Sequence, residues 1–501
     1  MEGTVTSVLL AGIATLLAYL FLFRNAERRR PLPGMPGPRG WPVVGSLFSL
    51  GELPHLRLME MSCTYGNVYQ LRLGSQYVVV VNGIRAIKES LLKQSVRFAG
   101  RPAFPSMNFT SKYVGIVFDT YDDMWKYQRK IIDSSLKPFT SGPTALEEVV
   151  TSAAVDVVNN LTNHGNCGNG KQSDPYDDLY TAVGNVTCFV LFGKRYSHDD
   201  DNFKKVLYYS KRFVAAITGK GNIVDYLPWM TFAMRKAFAK VADDLSLITR
   251  FVGEQINHHS SHRDGIGSVM DSLIRIRNDS ERTEGCALKT KTDVERVLCC
   301  LFGAGYENTT STLYYLILYM IIHPEIQYKV HEEIDRVVSR DRLPTLSDRA
   351  KLPYTDAVLQ EVIRHASLAP LTVPYSTLKD TDLLGYKIPK DTPIFVNLWS
   401  ANYDENEWED PHRFNPDRFL SADGLSVKKS QVAKMVAFGM GKRRCPGEQL
   451  AQLQLFLFFA IFMHQCHFEK CEGDNPQLTS VYGLTLRPVP FRVVTKHRGP
   501  D

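Results

Sequence analysis

Three long apolar stretches dominate the hydrophobic pattern of the chain and predict its longest elements. They are Val5–Phe23, Val294–Ile322 and Gln449–Met463. The middle stretch predicts a helix of about 43 Å at about 1.5 Å per residue, long enough to cross a whole domain. Glu307 and other charged residues lie within it, and charges inside a membrane span are costly. We therefore predict a buried helix through the protein centre rather than a second membrane span.

The first apolar stretch predicts a membrane anchor. Val5–Phe23 contains no charged residue and has about the length of a bilayer span, which needs roughly 20 residues. Arg24 and the run Arg28–Arg30 follow it, so the positive-inside rule places the rest of the chain in the cytosol. A cleaved signal peptide shows the reverse order, with basic residues first. Residues 1–23 are therefore predicted to be a single-pass signal-anchor transmembrane helix in the endoplasmic reticulum membrane.

A basic and proline-rich segment over residues 24–40 follows the anchor. Prolines cannot continue a helix and favour extended chain. We therefore predict a hinge between the anchor and the rest of the protein. Its prolines are Pro31, Pro33, Pro36 and Pro38.

Shorter alternating stretches predict a few strands. Val68–Leu73 and Tyr77–Val81 flank Gly74 and Ser75, which is the pattern of a hairpin. Arg85–Lys93 is predicted to be a helix, and Val481–Thr485 is predicted to form a second hairpin tip.

Composition narrows the class of protein without deciding its function. The 501 residues include 44% hydrophobic and 22% charged residues, which is ordinary for a globular protein. The net charge of +6 is slight, so nucleic acid is not predicted as a partner. The 9 cysteines are scattered and form no C-x-x-C pair. This pattern favours a reducing compartment over a disulfide framework or a zinc site.

One cysteine stands in a setting unlike that of the others. Cys445 lies in Phe438–Glu448, with glycines on both sides, Arg443 before it and Pro446 directly after it. Glycine allows tight turns and the close approach of a large group, and Pro446 suits the first turn of the following apolar helix. Neighbouring cations and a helix N-terminus favour a thiolate. Such a thiolate can be a nucleophile, a redox sensor or a metal ligand, whereas a buried structural cysteine needs neither glycines nor arginine.

The spacing F-x-x-G-x-R-x-C-x-G resembles the haem-binding signature of the cytochrome P450 superfamily, with Phe438, Arg443, Cys445 and Gly447 at fixed positions. The resemblance implies a mainly α fold with a small β-rich lobe (the cytochrome P450 fold), preceded by one N-terminal transmembrane helix. It implies a haem-thiolate catalytic domain over residues 41–501 that binds haem b. Cys445 would be the axial ligand of the haem iron, and Arg443 would pair with a propionate. Thiolate ligation favours O–O cleavage.

Further motifs agree with this resemblance. Trp125 and Arg129 are four residues apart on a predicted helix and so share one face; they match the W-x-x-x-R motif, which implies that both reach a haem propionate. Tyr375 stands where many relatives have a propionate-binding histidine, and its hydroxyl can still donate a hydrogen bond.

The middle of the long predicted helix resembles the oxygen-binding pattern A-G-x-[DE]-T-T. Gly303–Thr309 holds the small residue Ala304, which implies space beside the haem, and Glu307, which implies a route for protons. The sequence departs from the pattern at Asn308, and Thr309 follows one residue later. Asparagine can hydrogen-bond to oxygen or water but cannot act as a hydroxyl relay. Glu307, Asn308 and Thr309 are the candidate catalytic residues.

A charged triad is implied next. Glu361 and Arg364 have the E-x-x-R spacing, and Arg418 lies in Pro416–Phe419, where the related motif is P-E-R-F. The resemblance gives these three residues a structural role as a lock in the core near the haem.

The resemblance also implies a substrate pocket. We expect residues 211–229 to form paired helices over it. The residues expected to line it are Phe104, Phe109, Phe118, Gly303, Leu371, Val373 and Leu484.

Partners follow from the same resemblance. Electrons are expected from NADPH through NADPH–cytochrome P450 reductase, with cytochrome b5 as a second candidate donor and the lipid bilayer as a further partner. Lys126, Lys130, Lys442 and Arg444 would together form a basic patch behind the haem, which suits an acidic electron donor.

The expected reaction is insertion of one oxygen atom into a small hydrophobic substrate: an aromatic xenobiotic, a steroid or a fatty acid. Phe438–Arg443 and Tyr482–Thr485 resemble the animal microsomal aryl-hydrocarbon-hydroxylase group, whereas Asn397–Trp399 is shared with steroid 17-alpha-hydroxylases of the same clan. We favour the first group. An alternative is a haem-thiolate isomerase or dehydratase that acts on oxygenated lipids without a reductase, with the altered Asn308 as its support. A third alternative is a haem-based binder or sensor.

Overall fold

The structure is a computed structural model, and it describes residues 12, 31–141, 145–162, 171–197, 200–218, 223–259, 267–280 and 290–499. Apart from Gly12, the predicted anchor over residues 1–23 lies outside the described residues, as does the first part of the predicted hinge. Within the ranges just given, no helix is both long and apolar enough to cross a membrane.

Helices make up most of the described chain, as the resemblance implied. One short helix, Ile84–Lys88, continues directly into a wider helical turn of π type over Glu89–Lys93. The helices are α1 (Pro54–Tyr65), α2 (Ile84–Lys88), α3 (Pro105–Thr110), α4 (Gly115–Phe118), α5 (Asp123–Leu136), α6 (Ala145–Thr162), α7 (Tyr176–Phe192), α8 (Asp201–Thr218), α9 (Ile223–Tyr226), α10 (Arg235–His259), α11 (Val269–Ser280), α12 (Lys291–Ile322), α13 (Pro324–Val337), α14 (Pro353–Ala366), α15 (Trp399–Asn402), α16 (Lys429–Val432) and α17 (Glu448–Gln465).

Short strands form several small sheets beside the helices. The strands are β1 (Val68–Leu73), β2 (Gln76–Val81), β3 (Lys171–Ser173), β4 (Tyr375–Ser376), β5 (Thr381–Leu383), β6 (Tyr386–Ile388), β7 (Pro393–Val396), β8 (Cys466–Lys470), β9 (Ser480–Tyr482), β10 (Leu486–Pro488) and β11 (Val493–His497). The largest sheet has the order β1-β2-β7-β4, in which β1 and β2 are the predicted hairpin and β7 runs parallel to β2. A second sheet has the order β3-β11-β8. The mainly α fold with a small β-rich lobe is confirmed.

The long helix α12 is the central element of the helical core. Its start is fixed by a capping box. The Thr290 side chain accepts a hydrogen bond from the Asp293 N–H, and the Asp293 side chain accepts one from the Thr290 N–H. Its end is fixed by His323 and the following Pro324, which cannot continue the same helix. Between these points, α12 packs against α7, α10, α14 and α17. The buried central helix predicted from Val294–Ile322 is therefore present and begins three residues earlier, at Lys291.

The described part of the predicted hinge lies against the sheet. Leu32 and Met35 are buried in the cluster beside β1 and β2. The Gln70 side chain accepts a hydrogen bond from the Leu32 N–H at 2.8 Å and donates to the carbonyls of Leu32 and Met35 at 3.0 and 2.7 Å. These contacts attach the end of the hinge to the domain that follows it.

Candidate active site

The loop that carries Cys445 is shaped by glycines. Gly439 and Gly441 have φ angles of 70° and 69°, which L side chains rarely adopt. A Cβ atom on Gly441 would lie 1.8 Å from the Leu91 carbonyl oxygen, so only glycine fits there. The Cys445 N–H then donates to the Phe438 carbonyl at 2.9 Å and closes the loop. α17 begins three residues after the cysteine.

The environment of the Cys445 sulfur differs from the prediction in one respect. Cys445 is exposed, while protein surrounds the rest of its side chain, and this burial raises the pKa of the thiol. The Gly447 N–H, Arg129 and Arg444 lower the pKa but do not outweigh burial. The expectation that neighbouring cations and the helix N-terminus would favour a free thiolate is therefore wrong. A bound metal ion deprotonates a coordinating thiol, so this setting fits a metal ligand better than a free nucleophile or redox sensor.

Arg443 and Trp125 form the first part of a cationic cluster beside this loop. The Arg443 guanidinium donates to the backbone carbonyls of Ala99, Ile116 and Asp119 at 3.0, 3.1 and 2.8 Å. It lies 4.5 Å from the centroid of a Trp125 ring. Burial, and to a smaller extent a second arginine nearby, lower the pKa of Arg443 to about 9.

That second arginine is Arg101, which was not among the predicted site residues. Its guanidinium donates to the carbonyls of Val373 and Pro374 at 3.1 and 3.0 Å and lies 4.8 Å from the Tyr375 ring centroid. Burial lowers the pKa of Arg101 to about 10. Neither Arg101 nor Arg443 makes an ion pair within the described part of the chain. The available signal was a basic residue between Gly100 and Pro102 in the otherwise apolar run of residues 98–104.

Arg129 is held differently from Arg443. Its Nε donates to both carboxylate oxygens of Asp133 at 2.9 and 3.0 Å, and its Nη1 donates to the Arg444 carbonyl at 2.6 Å. Arg129 is thereby fastened to the cysteine loop. Phe438, at the start of the loop, packs against the main helical core.

One face of the otherwise buried helix α12 is open. From Asp293 to Ile322, the exposed residues are Ala304 and Asn308, which lie one turn apart. A Cβ atom on Gly303 would meet no other atom within 4 Å. A planar group can therefore approach α12 at Ala304 and Asn308, as the resemblance implied.

The two neighbours of Asn308 are placed differently. Thr309 is buried, and its hydroxyl donates back to the Gly305 carbonyl at 3.5 Å, so it does not share the open face. Glu307 accepts a hydrogen bond from the Tyr176 hydroxyl at 3.2 Å. Burial raises the pKa of Glu307, and Arg487 and Tyr176 partly offset this effect.

The predicted triad is assembled in the core. Arg364 Nε and Nη2 donate to the two carboxylate oxygens of Glu361 at 2.7 and 2.9 Å, and Arg418 Nε donates to Glu361 at 3.1 Å. The side chains of Glu361 and Arg364 are fully buried, and that of Arg418 is 8% exposed. Arg364 also donates to the carbonyls of Asn402 and Pro411, which joins α14 to the end of α15 and to the segment that follows it.

A cavity of about 540 Å³ lies between the sheet, α8 and α10. Gly303, which was expected to line it, does not do so among the described residues. The expected paired helices over residues 211–229 are present in part. The end of α8, which stops at Thr218, and the short α9 both line the cavity, but the long partner of α8 over the cavity is α10, Arg235–His259, which begins after this range. The predicted residues that do line it are Phe104, Phe109, Phe118, Leu371, Val373 and Leu484.

The cavity wall also contains a carboxylate that the sequence did not indicate. Asp225 is 3% exposed and accepts hydrogen bonds from the N–H and hydroxyl of Ser106 at 2.8 and 2.5 Å. Burial raises the pKa of Asp225 to about 6. The contact ties α9 to the start of α3. No local sequence signal joins two residues so far apart in the chain.

Comparisons with known proteins agree with this geometry. A family model described as cytochrome P450 matches residues 35–494. The chain is 36% identical to cytochrome P450 1A1 of Limanda limanda over 499 residues, which covers 97% of this chain and 95% of that protein. It is 36% identical to cytochrome P450 1A5 of Gallus gallus, with 96% and 93% covered, and 36% identical to cytochrome P450 1B1 of Homo sapiens, with 98% and 92% covered.

Proposed function

The chain belongs to the cytochrome P450 family and is a haem monooxygenase, and on that premise we propose that it oxygenates hydrophobic aromatic compounds with electrons from NADPH, delivered by a flavin reductase. The observation that carries the proposal is the setting of Cys445, an exposed thiol on a glycine loop that also carries Arg443, with Arg101 close to Arg443. A nearby aromatic cavity supports the class of substrate.

The residues of the site fit haem b. Cys445 would supply the thiolate ligand to the iron of a bound haem, and thiolate ligation favours O–O cleavage. Arg101, Arg443, Trp125 and Tyr375 would hold its two propionate carboxylates. The fit rests on the two arginines, because neither makes an ion pair with an acidic residue in the described part of the chain and burial lowers the pKa of each. Carboxylates would supply the missing negative charge.

The Arg101→Gln variant should bind haem about 10- to 100-fold more weakly, since a hydrogen bond to a charged group contributes about 1.5–3 kcal/mol. The rate and equilibrium of haem transfer to an apoglobin acceptor would measure this. Arg101→Lys keeps the charge and should recover part of the affinity. Arg97→Gln is the matched control, because Arg97 is an exposed arginine on the same segment. Equal haem affinity in Arg101→Gln and Arg97→Gln would contradict the role of Arg101.

The open face of α12 handles oxygen and protons in this proposal. Ala304 and Gly303 leave space, and the Asn308 side-chain amide can donate to an oxygen atom or a water molecule in that space. Glu307 holds the proton that the reaction consumes. Thr309 has a supporting role within the helix, because its hydroxyl is turned towards the Gly305 carbonyl.

The Asn308→Thr variant should form severalfold more product per NADPH consumed, because a hydroxyl both accepts and donates protons whereas the amide only donates and accepts hydrogen bonds. Product, NADPH and hydrogen peroxide would be measured in the same reaction, and peroxide should fall as product rises. The Thr309→Ser variant keeps a hydroxyl at the neighbouring buried position and serves as control. Unchanged coupling in Asn308→Thr would show that Asn308 already supports proton delivery fully.

The cavity supports the choice of substrate. Its volume of about 540 Å³ lies in the range of small-molecule sites, which is roughly 300–1,000 Å³. Aromatic rings from several elements surround it and favour stacked or edge-on contacts with a flat aromatic ligand. These rings belong to Phe104, Phe109, Phe118, Tyr226, Phe238, Phe395 and Tyr482. The relatives of the 1A and 1B types support the aryl-hydrocarbon-hydroxylase side of the clan.

The electron donor is proposed to dock near the cysteine loop. Lys126, Lys130, Lys442 and Arg444 are all exposed there. Lys126 and Arg444 already pair with Asp123 and Glu448, so Lys130 and Lys442 are the cations more available to an acidic partner. We also propose that residues 1–23 anchor the protein in the endoplasmic reticulum membrane with the catalytic domain in the cytosol.

Reconstitution tests the function directly. The full chain with haem would be combined with the reductase and NADPH in phospholipid vesicles, and oxygen uptake and product would be measured with flat aromatics, steroids and fatty acids. We expect turnover that needs the reductase and is fastest with the aromatics. The comparisons do not favour the isomerase or dehydratase alternative. Turnover of a lipid hydroperoxide without reductase, and no reductase-dependent product, would reverse that conclusion.

A further inference from the structure

The two carboxylate oxygens of Glu307 have different surroundings. The Tyr176 hydroxyl donates to Oε1 at 3.2 Å. Oε2 is buried and accepts no hydrogen bond from any described residue. A buried charged oxygen without a partner is costly. A neutral carboxyl group would instead carry its hydrogen on Oε2 and accept from Tyr176 at Oε1.

Aromatic rings lie beside this carboxyl group. The rings of Tyr176 and Tyr180 stack with centroids 5.8 Å apart, and Tyr180 meets Tyr306 edge-on at 5.1 Å. Glu307 therefore lies on a helix whose neighbours on this side are phenol rings, and burial is the main cause of its raised pKa.

Two cations lie close to the Tyr176 ring. The Arg487 guanidinium on β10 lies 4.9 Å from the ring centroid, and the Lys211 Nζ on α8 lies 4.7 Å from it. Lys211 also pairs with the exposed Asp177 at 2.7 Å, which connects this group to the surface. The charged and titratable groups that act on Glu307 are Tyr176, Tyr180, Tyr306, Lys211 and Arg487.

We propose that Tyr176 is a positioning residue for proton delivery. Its hydroxyl donates a hydrogen bond to Oε1 of Glu307, which leaves Oε2 as the oxygen that carries the transferable proton. Arg487 and Lys211 stabilise the carboxylate that remains after the proton has left. In this step the Oε2–H bond breaks and a new O–H bond forms on a water molecule at the open face beside Asn308, and a proton from solvent later restores the carboxyl group. The inference rests on the proposed function, in which Glu307 supplies protons in place of the hydroxyl relay that Asn308 lacks.

The Tyr176→Phe variant should raise the pKa of Glu307 further, because it removes a donor that stabilises the carboxylate. The carboxyl group should then stay protonated to higher pH than in the wild type. Infrared difference spectroscopy would follow the carbonyl stretch of the protonated group during a pH titration, and Glu307→Gln would identify the band. Arg487→Gln should shift the titration in the same direction, since it removes a cation.

Coupling provides the second readout. In the reconstituted enzyme, Tyr176→Phe should lower product formed per NADPH on the order of tenfold, because a misplaced group loses much of its rate advantage, while the substrate KM stays unchanged. Tyr315→Phe is the matched control; its hydroxyl bonds to Ser480 at 2.7 Å instead. It should change neither the infrared titration nor the coupling.

Two results would overturn the inference. One is a Tyr176→Phe variant that matches the wild type in both readouts. The other is a shifted titration with wild-type coupling, which would make Tyr176 a structural neighbour alone. Failure of the proposed function itself would show differently: the wild-type holoenzyme would form no reductase-dependent product. The first two results, in contrast, concern the Tyr176→Phe variant of an active wild type.

Discussion

The Glu361→Gln variant should lose about 3–5 kcal/mol of stability, because it leaves buried arginine charge without its partner. Glu361 is the shared acceptor of Arg364 and Arg418, at 2.7 and 3.1 Å, and the Glu361 side chain is fully buried. The loss is a large part of the roughly 5–15 kcal/mol that stabilises a typical domain. The urea concentration at half-unfolding of the holoenzyme would measure it.

A surface ion pair supplies the control. Glu60 pairs with Arg57 at 2.6 Å, and the side chains are 67% and 42% exposed. The Glu60→Gln variant should cost less than about 1 kcal/mol. If Glu361→Gln and Glu60→Gln unfolded at the same urea concentration, the triad would not lock the core as the structure indicates.

The second large effect is expected at Cys445. The Cys445→Ser variant should reduce NADPH-dependent oxygenation to background, because a serine oxygen does not supply the electron density of a thiolate to the iron. The fold should persist, since Cys445 is exposed and is not part of a hydrophobic core cluster. Product formation with reductase and the far-ultraviolet circular dichroism spectrum would be compared in the same preparation.

Cys63→Ser is the matched control for this substitution. Cys63 is also exposed but lies on α1, away from the glycine loop. Its replacement should leave oxygenation intact. Oxygenation by Cys445→Ser at the rate of Cys63→Ser would assign the ligand to another residue.

Local sequence signals predicted the regular elements well. The helix α12 was expected from an apolar stretch, and its ends follow from Thr290, Asp293 and Pro324, which all act within a few residues. The hairpin of β1 and β2 follows from Gly74 and the alternating residues on either side. Capping and turn chemistry are local, so a single sequence contains the information.

The candidate site was predictable where a motif has fixed spacing. Glu361 and Arg364 are one helical turn apart, so their contact is determined by the helix itself. The glycines before Cys445 indicated a tight loop, and the φ angles of Gly439 and Gly441 confirm it.

Contacts between distant segments were not predictable in the same way. Arg101 meets Val373 and Pro374 only because the loop before α3 packs on the segment before β4. Asp225 meets Ser106 in the cavity wall for a similar reason. The direction in which the Cys445 pKa shifts was also missed. Cations can be counted in the sequence, but the burial that raises this pKa depends on how the chain packs.

The central claim is that Cys445 provides a thiolate ligand to haem iron in an oxygenase. The most direct test is the absorption spectrum of the reduced wild-type holoenzyme with carbon monoxide. The proposed ligand predicts a Soret band strongly shifted to the red, as thiolate ligation produces. A band at the position found with a histidine ligand, or no red shift at all, would contradict the claim.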